Sequence, residues 1–176
     1  MNAKKTMISG FFILIVLTIF SSCGRGDILS EKALNNFSKL IEEKDFDDLS
    51  LTIYYISPFI LTRTSLSVDD LINFNNVKKI VINGSDLEGN LDLFEQINKD
   101  DLIKVKNKSR INARFYYLFE NVKEGKVLDV AMSGNDGSVF INGLEFKGND
   151  IFYDIVMPFL PGDVVKELKA YIGSGN

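Results

Sequence analysis

Apolar residues recur along this chain with two different periods, and the switches between them set the expected order of elements. From Ser30 to Asp48, Leu34, Phe37, Leu40 and Ile41 return at steps of three and four, with Glu, Lys and Asn between them. That spacing predicts an amphipathic helix with Ser30 as its N-cap. Asp45, Asp47 and Asp48 close it. Negative charge there opposes the helix dipole, so the end should fray. Leu51 to Ser57 is rich in β-branched and aromatic residues and predicts a strand. Leu51, Ile53 and Tyr55 share one face of it, and Pro58 ends it.

Ser67-Val-Asp-Asp70 has the spacing of a capping box, with Asp in the Glu position, and opens a short helix to about Phe74. Val77 to Ile82 predicts a second strand and Asn83-Gly84 a turn. Ser85-Asp-Leu-Glu88 is a second capping box, with Leu87, Leu91, Phe94 and Ile97 as the stripe behind it. Asp101 to Lys106 alternates Ile103 and Val105 with Lys104 and Lys106, a pattern suited to a protected edge. Asn112 to Asn121 sets Ala113, Phe115, Tyr117 and Phe119 against Arg114, Tyr116 and Glu120. After a turn at Lys123-Glu-Gly125, Lys126 to Met132 places Leu128, Val130 and Met132 together. A turn at Ser133 to Gly137 leads to a last strand, Val139 to Asn142. Asn149 or Asp150 can cap a helix from Ile151 to Met157, interrupted at Pro158. Pro161 begins a final helix with Val164, Val165, Leu168 and Ile172 inward.

This order predicts an α+β fold: one domain over 30–176, with an antiparallel sheet of about five to six strands ending in a meander. An N-terminal, a central and C-terminal helices pack on it.

The first residues follow neither period. Lys4 and Lys5 precede a nearly unbroken apolar run from Met7 to Phe20, and the hydrophobicity stops at Ser21-Ser22-Cys23-Gly24. Basic start, apolar run and small-residue cleavage site make an export signal. The run is shorter than the about 20 residues a membrane-spanning helix needs. Ile19-Phe20-Ser21-Ser22-Cys23 resembles the lipobox of bacterial lipoproteins, with Phe20 standing where leucine is commonest. The resemblance implies a signal peptide over 1–22 and a diacylglyceryl group, with palmitate-type acyl chains, on the sulfur of Cys23. Residues 23–29 become a lipidated tether. It implies an exported protein anchored to the outer face of the cytoplasmic membrane, or to the outer membrane if the cell has two. Two acyl chains anchor stably where one does so only marginally. Arg25-Gly26-Asp27 reads as tether.

Removing Lys4 and Lys5 leaves 18 basic against 24 acidic residues, a formal charge of −6. An acidic domain does not suit nucleic acid. Cys23 is the only cysteine, and histidine is absent. Ser-His or Cys-His catalysis and zinc held by Cys or His are therefore excluded for the mature chain. No Gly-rich phosphate loop is present. Neighbouring aspartates such as Asp69 and Asp70, or Asp100 and Asp101, point apart on a regular element and suit caps and turns more than a metal site. No cofactor and no metal is expected.

Aromatic pairs remain: Tyr54-Tyr55, Tyr116-Tyr117 and Phe152-Tyr153. On a strand one member of each pair faces away from its neighbour. Tyr54 and Tyr116, with Arg114 beside them, form an exposed candidate binding surface if that sheet face is uncovered. If helices cover both faces, the tyrosines simply pack.

Several stretches resemble short lipoproteins of low-GC Gram-positive bacteria that carry a domain of unknown function. They are Leu51 to Phe59, Ser65 to Leu71, Ser109 to Tyr117, Asp129 to Ser133 and Asn149 to Phe159. The resemblance implies compartment and architecture and brings no activity or functional residue with it. Three functions are expected. The first is a non-enzymatic module binding an envelope protein or peptide. The second is a carboxylate-dependent envelope hydrolase or small-ligand binder, which needs at least two of Asp129, Asp136, Asp150, Asp154 and Glu145 in one pocket. The third is an immunity or inhibitor lipoprotein.

Overall fold

The computed structural model describes residues 32, 34–36, 38–39, 42–43, 48–97, 102–105, 110–133 and 137–174. The signal segment, Cys23 and the tether lie outside them, as do Phe37, Leu40 and Ile41 of the first stripe. The described residues between 32 and 43 are helical, and Leu34 is buried in the core.

Alternating apolar side chains build strand β1 (Leu49–Tyr55), with Leu51, Ile53 and Tyr55 buried on one face as their spacing requires. The Ser67 box forms as read: the Ser67 hydroxyl accepts from the Asp70 N–H at 3.1 Å, and Asp70 accepts from the Ser67 N–H at 3.0 Å. It opens helix α1 (Val68–Ile72). Strand β2 (Lys78–Asn83) follows. Asn83 is not a turn residue but the N-cap of α2 (Gly84–Leu87), which tightens into a 3-10 segment, Glu88–Gln96. Ser85 therefore lies inside the helix, because the N-cap falls two residues before the one its motif implies.

Strands β3 (Ala113–Asn121), β4 (Gly125–Ser133), β5 (Val139–Ile141) and β6 (Leu144–Phe146) complete a sheet of six in the order β2-β1-β3-β4-β5-β6. Every neighbouring pair is antiparallel. The strand β6 was not expected. It folds back through Asn142 (φ 47°) and Gly143 (φ 77°), a two-residue turn with both residues left-handed, the conformation a tight hairpin of this twist requires. Of the strand expected over Asp101–Lys106, both ends lie outside the described residues; within 102–105, Lys104 makes an isolated bridge to Phe146 of β6.

One face of the sheet carries the main core. Phe115, Tyr117, Phe119, Leu128, Val130 and Met132 lie beneath Leu87 and Phe94 and beneath the carboxyl-terminal helices. These are α3 (Ile151–Asp154), a 3-10 turn at Met157–Phe159, and α4 (Gly162–Ser174). Pro158 and the short α3 break what the sequence suggests as one helix to Met157. Asn149 rather than Asp150 supplies the side-chain cap, accepting from the Ile151 N–H at 3.1 Å. The Tyr55 and Ser57 hydroxyls both donate to Glu167 and so tie α4 to the end of β1.

The second face has its own smaller cluster. Leu71 of α1, with Ile56 and Leu66 from the segment before it, covers Tyr116 and Ala131. Ala113 belongs to this cluster and not to the face of Phe115. A register shift between Ala113 and Phe115 inserts one residue into β3 and reverses the alternation there.

Candidate functional site

Register brings one row of side chains across all six strands of the second face: Lys79, Tyr54, Tyr116, Ala131, Phe140 and Glu145. It begins with a cation, ends with a carboxylate and is largely aromatic between. The Tyr54 and Tyr116 rings lie 6.0 Å apart, tilted by 32°. The Lys79 ammonium stands 5.5 Å from the Tyr54 ring centre, within reach of a cation–π contact.

The expected open patch of Tyr54, Tyr116 and Arg114 is not what this face presents. Arg114 and Tyr116 are both buried, at 6 % exposure, and Tyr54 alone of the three is half-exposed. Cover by α1 and by residues 56–66 is the reason, since Ala113 N–H donates to the Leu66 carbonyl and pins that segment over β3. The Arg114 guanidinium is spent on structure. It donates to Asn112 Oδ1, the Ala113 and Ile60 carbonyls and Thr62 Oγ1. Burial depresses its basicity from the usual guanidinium range.

Among the described residues, the same face stays open beside α1. A cleft of about 490 Å³ lies there, lined by Val68, Asp69, Tyr116, Asp129, Phe140 and Glu145 among others. Its volume falls within the range of small-ligand and peptide-side-chain pockets. Tyr116 thus forms part of the cleft wall instead of an exposed patch. Asp129 accepts from Lys126 at 2.7 Å and, at the outer limit of a hydrogen bond, from the Tyr116 hydroxyl at 3.5 Å. Burial, reinforced by the charge of Asp129, pushes the Tyr116 phenol far up, so it stays a neutral donor. Glu145 is 5 % exposed and accepts from the Ser138 hydroxyl at 2.9 Å.

Of the five carboxylates singled out, Asp129 and Glu145 meet in this cleft, joined by Asp69, which sequence reasoning left as a cap. Asp150 lines a smaller hollow of about 230 Å³ near Met132 and Tyr153, and Asp154 is exposed on α3. Asp136 lies outside the described residues. Among the described residues no group of three His, Cys, Asp or Glu side chains is placed to hold a metal ion. Sequence reasoning missed Phe140. The signal for it was Asn142-Gly143, whose hairpin turns Glu145 back beside Phe140.

Among the described residues no helix is long and apolar enough to cross a membrane. Comparison with known proteins finds no matching family model, no matching curated protein and no matching solved structure.

Proposed function

We propose that this protein is an exported lipoprotein whose domain is a non-enzymatic binding module held at a membrane by a lipid on Cys23. The particular reading is that the cleft takes a cationic segment of an envelope protein or peptide. One observation carries it: Asp69, Asp129 and Glu145 stand around an apolar lining of Val68, Phe140 and Tyr116, and among the described residues Lys126 is the one cation lining the cleft. A lysine or arginine side chain suits that lining, since its methylene stem packs on apolar surface while its charged head reaches carboxylates. The formal charge of −6 on the residues after the signal segment adds long-range attraction for a basic partner. An immunity or inhibitor role is one biological form of the same binding.

Binding of a labelled oligolysine peptide to the detergent-solubilised full chain, followed by anisotropy, tests this. Saturable binding that weakens with salt is expected, with none for oligoglutamate. Replacing Asp129 by Asn and Glu145 by Gln together should weaken it by about tenfold or more, the worth of losing charge-assisted hydrogen bonds. Unchanged affinity in that variant, with an unchanged melting curve, contradicts the assignment.

A second reading is favoured by the meeting of Asp129 and Glu145 in one cleft. Two carboxylates flanking a bound sugar can act as acid and base, as a carboxylate-dependent hydrolase or a small-ligand binder would require. Release of reducing sugar from purified cell wall, abolished in the same double variant, would establish it over the binding role.

A further inference from the structure

Residues 57–64 form a loop with an unusual presentation. Leu61 is 97 % exposed and Phe59 is 55 % exposed, two apolar side chains at its crest. The loop is nevertheless tied down from within. Ile60 N–H donates to the Ser57 carbonyl at 3.1 Å, Phe59 N–H to Ser57 Oγ at 3.3 Å, and the Thr62 hydroxyl to the Thr64 carbonyl at 2.8 Å. Buried Arg114 grips it from beneath through Thr62 Oγ1 at 2.9 Å and the Ile60 carbonyl at 3.5 Å. The Phe59 ring meets Tyr171 of α4 edge-on, with centres 5.7 Å apart. Outward apolar side chains on a braced loop are a built feature, because water penalises their exposure.

Charge points to the occupant. From Leu49 to Val68 the chain has no acidic residue, and its one charge is Arg63, exposed beside Leu61. In a chain with this acidic excess, the stretch brings no carboxylate of its own to oppose approach to an anionic surface. Phe and Leu at the crest, with Arg and Tyr behind, match the layered chemistry of a bilayer interface, where apolar tips enter the acyl boundary and amphipathic side chains stay at headgroup level.

We propose that the loop 57–64 is a membrane contact that seats Phe59 and Leu61 in the interfacial layer of the bilayer. This rests on the lipid anchor proposed for Cys23. A tether from Cys23 to Ser30 reaches at most about 25 Å, which keeps the domain within touching range of the lipid.

The test uses full-length lipidated protein in vesicles of phosphatidylcholine and phosphatidylglycerol, where acylation blocks the sulfur of Cys23. An environment-sensitive fluorophore is placed at Leu61→Cys or, as control, at Val122→Cys. Val122 is 83 % exposed just past the far end of β3 from Arg114, about 25–30 Å away along the strand. Both sites are exposed, so neither change disturbs the core. A blue shift and quenching by brominated lipid at position 61, with neither at 122, is the expected result. Adding Phe59→Ser should shift the seated population toward water by about tenfold, the worth of one buried large apolar side chain. Equal, water-like emission at both sites in protein that floats with the vesicles overturns the loop contact and leaves the anchor standing. Protein that fails to float overturns both.

Discussion

Tyr117 stands at the centre of the main core with no exposure and, among the described residues, no hydrogen-bond partner for its hydroxyl. Burial drives its phenol far above the ordinary range, so it is neutral in the folded protein and takes stability away only above about pH 10, where the unfolded chain's tyrosine ionises. An unpaired buried hydroxyl costs free energy that a phenylalanine ring would not. Tyr117→Phe should leave stability unchanged or raise it by about 1 kcal/mol, read from the urea midpoint. A large loss would mean that the hydroxyl has a partner in solution. Asp70 behaves oppositely. The Ser67 hydroxyl and then the Ser67 N–H hold its carboxyl below the ordinary range. A depressed folded pKa gives stability that is present above the unfolded value, about 3.9, and is lost as pH falls through the folded one. Ser67→Ala should therefore cost stability at neutral pH, read as a lowered urea midpoint. The cost should shrink on acidification below about pH 4, measured as the difference between two denaturation midpoints.

Elements whose information is local were legible in the sequence. The capping box at Ser67 needs four consecutive residues, and the buried face of β1 needs only alternation; both stand as read. The faces of β4 were legible for the same reason, with Leu128, Val130 and Met132 all buried. What depends on pairing was not. The bulge beside Ala113 exists only because β3 meets β4 with one residue to spare, and no pattern within β3 announces it. The two Asn-Gly pairs have the same composition and different fates: one opens α2 and the other turns β5 into β6. Gly143→Ala keeps a positive φ where a Cβ is strained, so it should cost about 1 kcal/mol and be read as a lowered thermal midpoint. Glu145 sits on the strand that follows, so the same change should also weaken oligolysine binding at the cleft. An unaltered midpoint would show that the turn adopts another form.

At the scale of the whole molecule, the decisive fact is that the two sheet faces are covered unequally. Helices close the first face, whereas α1 and the segment before it close only part of the second. Tyr116 and Arg114 were legible as the unusual residues of that face, but their exposure depended on where the short helix behind Ser67 and the segment before it would dock, which five helical residues do not announce. The result is a division of labour in which Arg114 braces a loop and the open remainder beside α1 becomes the acidic cleft. A membrane-seated loop and a cleft on a tethered domain would restrict partners to molecules near the membrane. That picture depends first on the tether. Cells making the wild-type chain or its Cys23→Ala variant, fed radioactive palmitate and fractionated, test it most directly. Label in the membrane fraction for the wild type and none on the variant is the expected result; equal label on both would contradict a lipid on Cys23.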